Sequence, residues 1–252
     1  MGRKEKRKAN KTKVIINIIQ LIFILVLIYS FIHIFLWYKS NKNNKQVIQE
    51  LSQTIEIVEE DGKDDKKYKI NFEELKNKNS DTVAWLKVEN TNIEFPVVKA
   101  NDNSYYLTHN FNKENNSAGW IFADYKNKFN GTDKNIVIYG HNMRNDSMFG
   151  TLKDVIKEEW YNNENNKYIT LVTENDYSIY EVFSVYQIEK EDYYIKTDFN
   201  SSKEFEEFLQ KVKERSFKDF NIDISKENSI LTLSTCANNN KYRVVLHAVK
   251  KG

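Results

Sequence analysis

One cysteine, one histidine and one arginine have the types and spacing for chemistry on an acyl group. The cysteine is Cys236 in TLSTC, residues 232–236, and it is the sole cysteine of the 252-residue chain. A thiolate is a strong nucleophile, but an ordinary thiol is only a few per cent ionised near neutral pH and needs a base or a cation beside it. His141 stands in IVIYGHNMRNDSMFG, where an apolar strand runs through a glycine into a polar loop. A strand end of this kind gives a fixed base and a free side chain, and catalytic residues concentrate in such places. Of the other three histidines, His109 in YYLTHNF reads as a loop residue, His247 in VVLHAVK as a strand-face residue, and His33 falls inside a long apolar run. His247 also lies about 13 Å along a strand from Arg243, too far to share its site.

Arg243 opens the segment KYRVVLHAVK. Between it and Cys236 lies ANNNKY, a turn-forming stretch, so the two segments pair as a hairpin with Cys236 and Arg243 near its loop. A guanidinium there is permanently charged, and its planar fork can steady a thiolate or the oxyanion of a tetrahedral intermediate. The same position also suits a solvated strand-end arginine. Strand alternation puts Thr232, Ser234 and Cys236 on one face and Leu231, Leu233 and Thr235 on the other, so the thiol shares the more polar face. A lone cysteine can equally be a small buried hydrophobe. Outside the cell, however, structural cysteines usually come in pairs.

These residues need a frame, and the pattern around them is mainly that of strands. AWLKVENTNIEFPVV reads as two strands joined by Glu-Asn-Thr-Asn, with Pro96 on an edge. NIVIYG, YITLV, YSIYEVFSVYQI, SILTLSTC and YRVVLHAVK supply more. NFEELKNKN is a short helix. SMFGTLKDVI, with Phe149, Leu152, Val155 and Ile156 along one face, is a second. SSKEFEEFLQKVKE is a third, presenting Phe205, Phe208, Leu209 and Val212 behind a Ser201/Glu204 capping box. Many short strands with few helices and no βαβ alternation predict a mainly β domain, a largely antiparallel barrel or sandwich.

Ahead of this domain the charge and hydropathy change abruptly. Residues 1–13 hold seven Lys or Arg and one Glu, which leaves 31 basic and 35 acidic side chains for the rest. The body is therefore mildly acidic, which argues against nucleic acid as a partner. Residues 14–37, VIINIIQLIFILVLIYSFIHIFLW, contain no Asp, Glu, Lys or Arg. As a helix this run spans about 36 Å, enough for a hydrocarbon core of about 30 Å. It is longer than the apolar region of a signal peptide. Only Lys39, Lys42 and Lys45 follow closely, so the positive-inside rule puts the N-terminus in the cytoplasm and everything after Trp37 outside. Residues 41–58 place Val47, Ile48, Leu51, Ile55 and Val58 near helical spacing, and residues 59–69 form a charged linker. The expected organisation is a basic cytoplasmic tail (1–13), a single-pass membrane anchor (14–37), an extracellular helix and linker (38–69) and a catalytic domain (70–252).

TLSTC, an arginine seven residues after the cysteine, and YGHN upstream resemble the signature of the sortases, membrane-anchored cysteine transpeptidases of Gram-positive bacteria. DTVAWLKVENTNIEFPVV, NDNSYYLTHNFNKENNSAGWIFADYKN and YGHNMRNDSMFGTL are similar to class B stretches in order and spacing, over roughly residues 70–250. The resemblance implies an eight-stranded β-barrel with N-terminal helices and a helix between the sixth and seventh strands. It implies Cys236 as nucleophile, His141 as acid/base and Arg243 as stabiliser of oxyanion or substrate. Asn103, Leu107, Tyr139, Tyr193, Tyr194, Ile195 and Ser234 match substrate-contact positions. The loop after Cys236 reads ANNN where the family often carries aromatic or acidic residues. Implied partners are surface proteins with a C-terminal sorting signal, NPxT(N/G) or (S/P)PxTG, and an amine of a peptidoglycan precursor or cross-bridge. No metal or organic cofactor is called for, because HExxH, a cysteine cluster and a glycine-rich phosphate loop are all missing from the sequence. A secreted cysteine peptidase, a pilin-polymerising sortase and an inert binding module on the same scaffold are the alternatives. Asn142 and Asn238 are local candidates for orienting His141.

Overall fold

The computed structural model describes residues 2–59, 66–237 and 241–251, and the side chains of residues 13–40, 42–56, 67–235 and 241–251 among them. The chain divides into two compact units, Met1–Asn43 and Asn44–Gly252. Helix α1 (Gly2–Ser52) carries the apolar run, and it is long and apolar enough to cross a membrane. From Val14 to Tyr38 its large apolar side chains are exposed, the pattern of a helix hydrophobic all round.

The second unit begins with the last turns of α1, which bury Val47 and Leu51 in the core. The helix predicted to reach residue 58 ends at Ser52. Residues from Ile55 form strand β1 (Ile55–Glu59), paired antiparallel with β2 (Lys66–Ile70). The alternation Ile-Glu-Ile-Val suits a strand as well as a helix, and the β-branched residues favour the strand. Part of the expected linker is thus β2, while residues 60–65 lie outside the described residues.

Helix α2 (Phe72–Lys78) follows, capped by the Asn71 side chain, which accepts from Glu74 N at 3.1 Å. Then come β3 (Thr82–Val88), β4 (Glu94–Val98), β5 (Phe122–Ala123), β6 (Asn135–Gly140), a short α3 (Glu158–Tyr161), β7 (Tyr168–Val172), β8 (Tyr177–Glu189), α4 (Ser202–Glu214), β9 (Ile230–Ala237) and β10 (Tyr242–Lys250). β3 to β10 close into an eight-stranded barrel in the order β10-β8-β7-β3-β4-β5-β6-β9. Two of its pairings, β4 with β5 and β6 with β9, are parallel and the others antiparallel. The barrel, the N-terminal helices and the helix between the sixth and seventh barrel strands all stand as expected.

Pro96 is not on an edge, because a closed barrel has none. β5, its neighbour on one side, pairs with β4 at Val98, one turn of pleat away, and so asks no N–H of Pro96. SMFGTLKDVI forms a 3₁₀ turn (Gly150–Asp154) rather than an α-helix. Its buried residues Phe149, Leu152 and Val155 recur every three positions, the repeat that a 3₁₀ turn stacks on one face. α4 buries Phe205, Phe208, Leu209 and Val212 against the outer face of the sheet, in one cluster with Ile230, Val245 and Val249, while Leu231, Leu233, Val244 and Leu246 point into the barrel. Each such side chain contributes about 1.5–3 kcal/mol. β9 and β10 are thereby held from both faces.

Candidate active site

The barrel register brings the three chemical residues to one end. β6 and β9 run parallel with Gly140 opposite Thr235, so His141 and Cys236 are the next residue on each strand. β10 returns antiparallel with Arg243 opposite Cys236. The Thr235 hydroxyl donates to the Gly140 carbonyl at 2.6 Å, fastening the residue before the thiol to the residue before the imidazole. Gly140 is required here: a Cβ would meet Ile121 Cδ1 at 2.6 Å and Phe149 Cγ at 2.7 Å. Even alanine displaces core side chains directly beneath His141.

His141 is half-buried, and its Nε2 donates to the Leu107 carbonyl at 2.8 Å. A carbonyl only accepts, so Nε2 is the nitrogen that carries the proton of this bond. Asn142 does not orient the ring; it bridges to Met148 as the loop closes, with Met143 and Phe149 N–H groups on the His141 carbonyl. Asn238 lies outside the described residues. Leu107 ends a 3₁₀ turn (Tyr105–Leu107) whose carbonyls are approached by Gly119 at φ +58°. A Cβ at Gly119 would stand 2.4 Å from the Tyr106 oxygen and 2.9 Å from the Leu107 oxygen. Glycine is what lets that carbonyl reach the imidazole.

A groove of about 830 Å³ runs past these residues, lined by His141, Thr235 and Arg243 together with Asn103, Leu107, Tyr139, Tyr194, Ile195 and Ser234. The Tyr194 hydroxyl bonds Ser234 Oγ at 3.0 Å, joining the wall that follows β8 to the strand of the cysteine. Tyr193 is not part of the lining. Its ring lies under Lys211 Nζ at 3.8 Å and near Arg215, on the α4 side. Tyr193–Ile195 is a 3₁₀ turn, in which successive side chains diverge by a third of a circle, so the three cannot all face one groove. Arg243 Nη1 donates to the Tyr242 carbonyl at 3.0 Å. The lining adds Phe122 and the exposed Lys190, Glu191 and Asp192, which the sequence reading did not single out.

Behind the cysteine strand lies a second histidine. His247 is fully buried between Thr232 Oγ1 at 2.8 Å from Nδ1 and the Tyr186 hydroxyl at 2.9 Å from Nε2. Burial pushes its pKa down to about 3, so it stays neutral. Burial likewise raises the Tyr186 phenol, helped by the Tyr193 hydroxyl at 3.5 Å. His109 stacks flat on Tyr105 at 4.1 Å, with Nδ1 2.8 Å from the Tyr105 carbonyl, a fixture of the turn that carries Leu107.

Fold and site together define a closed barrel that brings a cysteine, a histidine and an arginine to one rim. A family model for the sortase domain matches residues 86–251. Sortase B of Listeria monocytogenes is 39% identical over 171 residues, 67% of this chain and 68% of that protein. Among solved structures, Clostridium perfringens sortase B is 44% identical and superposes with a TM-score of 0.68 over 72% of this chain and all of that one. A Staphylococcus aureus sortase B–substrate complex is 31% identical, with a TM-score of 0.67 over 71% of this chain and 84% of that one. The chain belongs to the sortase family and, within it, to class B: it is a cysteine transpeptidase that anchors surface proteins.

Proposed function

We propose that Cys236 is the nucleophile, His141 the acid/base and Arg243 the oxyanion stabiliser of a ping-pong acyl transfer. The reading is carried by the register, which supports convergence of the three from Gly140↔Thr235 and Arg243↔Cys236. The Cys236 thiolate attacks the threonine carbonyl of a sorting signal, NPxT(N/G) or (S/P)PxTG, forming a C–S bond and an oxyanion that faces Arg243. The C–N bond then breaks and a proton of His141 passes to the leaving amine. A peptidoglycan amine, from a precursor stem or a cross-bridge, attacks the thioester, returns a proton to His141 and releases the thiolate. Asn103, Leu107, Tyr139, Tyr194, Ile195 and Ser234 hold the peptide. Tyr193 acts from behind, by supporting Tyr194 and Ile195.

Residues 14–37 anchor the enzyme in the cell membrane. The basic residues 1–13 lie in the cytoplasm and the catalytic unit faces the wall, an orientation supported by the charge asymmetry across the apolar run. The test is intact-mass spectrometry of the detergent-solubilised chain with peptides carrying NPQTN, SPKTG and PPKTG. The expected result is a thioester adduct that passes to diaminopimelate or oligoglycine and is lost in Cys236→Ala. An adduct that goes to water at an unchanged rate with amine present makes the protein a peptidase. No adduct at all overturns the catalytic reading.

A further inference from the structure

Asp124 directly follows β5 and is 3% exposed, yet its carboxylate is aimed at the groove wall. One oxygen, Oδ2, accepts from Asn103 Nδ2 at 2.8 Å and from the Tyr139 hydroxyl at 2.8 Å; the other accepts from the Lys126 backbone N–H at 3.0 Å. Asn103 and Tyr139 both line the groove. We propose that Asp124 is a positioning residue that sets the hydrogen-bonding polarity of this wall, so that it receives the backbone N–H and C=O of one substrate residue.

The polarity follows by elimination. A carboxylate only accepts, so Tyr139 must donate its proton to Asp124 and can offer the groove nothing but lone pairs. Burial, with Asp124 next in effect, raises the Tyr139 phenol above its usual range and keeps that proton in place. The Asn103 amide is fixed in the same way. Its Nδ2 faces Asp124 and its Oδ1 accepts from the Tyr125 backbone N–H at 3.0 Å, so the flip is unambiguous and one N–H remains to donate. The wall therefore presents an acceptor at Tyr139 and a donor at Asn103. An extended substrate residue presents the complement, its own N–H and C=O on one edge. Without the carboxylate the phenol rotates and the amide can flip, and the pair loses its code.

Asparagine at position 124 cannot reproduce this. Either its NH₂ meets two donors, or its single oxygen faces them and its NH₂ meets the Lys126 N–H. Two contacts are lost in the first arrangement and one in the second.

This inference rests on the proposal that the groove binds a sorting-signal peptide, and the experiment separates the two. In the detergent-solubilised full chain, Asp124→Asn is expected to raise the peptide KM about tenfold or more, with kcat within about threefold and alkylation of Cys236 by iodoacetamide within about twofold. In the unaltered protein, peptides with each backbone N–H replaced in turn by an ester oxygen are expected to show one position where KM rises about tenfold. In Tyr139→Phe that position loses its sensitivity. Should Asp124→Asn fail to give a cooperative thermal transition, the ester series on the unaltered protein decides alone. A KM within twofold for Asp124→Asn, or an ester series with no sensitive position, overturns the role of Asp124 while leaving transpeptidation intact. Turnover of no peptide by the unaltered protein overturns the proposed function and this inference with it.

Discussion

His141 and His247 stand on neighbouring regions of one barrel and have been given opposite tasks. His141 sits where β6 ends, half-buried, with Nε2 on the Leu107 carbonyl and its ring in the lining of the groove. His247 sits in mid-strand on β10, fully buried, with both nitrogens engaged and its pKa pushed down to about 3. Both rings are fixed by hydrogen bonds. What separates the proposed acid/base from a structural amphiphile is whether the ring opens on the groove, and that depends on strand position. A strand end leaves the side chain in a groove, and a strand middle under α4 seals it.

Four measurements test this contrast. The largest effect is expected for His141→Ala, which should lower kcat about 10³-fold in the thioester assay while unfolding stability stays within about 0.5 kcal/mol. An equal loss in His247→Phe would erase the distinction. Arg243→Lys keeps the charge but not the fork, and kcat/KM should fall about 10²-fold; an unchanged value would make Arg243 a solvated strand-end residue.

His247 should reveal itself in stability against pH. Its folded pKa lies below the ordinary value of 6.5, so between 6.5 and about 3 the unfolded chain binds the extra proton. Stability is therefore full above pH 6.5 and declines as pH falls, by about 1.4 kcal/mol per unit, or roughly 2 kcal/mol at pH 5. Denaturant unfolding followed by tryptophan fluorescence, at pH 7 and pH 5, should show this slope in the unaltered chain and a shallower one in His247→Phe. The smallest effect is that of Gly119→Ala, which pushes on the Leu107 carbonyl. A kcat several-fold lower, with about 1 kcal/mol of destabilisation, would tie that carbonyl to the imidazole. Destabilisation with kcat unaltered would cut the tie.

The strands were readable because their alternation has period two, and the barrel because so many of them are short. Cys236 and Arg243 were readable because a hairpin of known register needs only the intervening turn. Other features left no trace in residue types. β5 is two residues long and has no period to detect. The Leu107 carbonyl belongs to the backbone, which every residue carries, so the partner of His141 was sought among side chains and missed. Asp124 is a single carboxylate after an apolar run, IFAD, and only the fold shows that two groove residues converge on it. Tyr193, Tyr194 and Ile195 all match substrate-contact positions of the family, and only the 3₁₀ turn shows that Tyr193 stands outside the groove lining.

The parallel pairing of β6 with β9 also governs when the enzyme comes to exist. Gly140 and Thr235 meet across 95 positions of chain, whereas β9 and β10 are neighbours in sequence, Ala237 pairing with Tyr242. Closing the longer loop costs roughly 2 kcal/mol more in chain entropy, and contacts so distant in sequence form slowly. In a chain that emerges N-terminus first, β6 waits without its neighbour until β9 follows. Throughout that interval His141 has no β9 beside it, so under the proposed roles of His141 and Cys236 a half-emerged molecule is catalytically silent. Barrel closure is by the same topology a late event in folding.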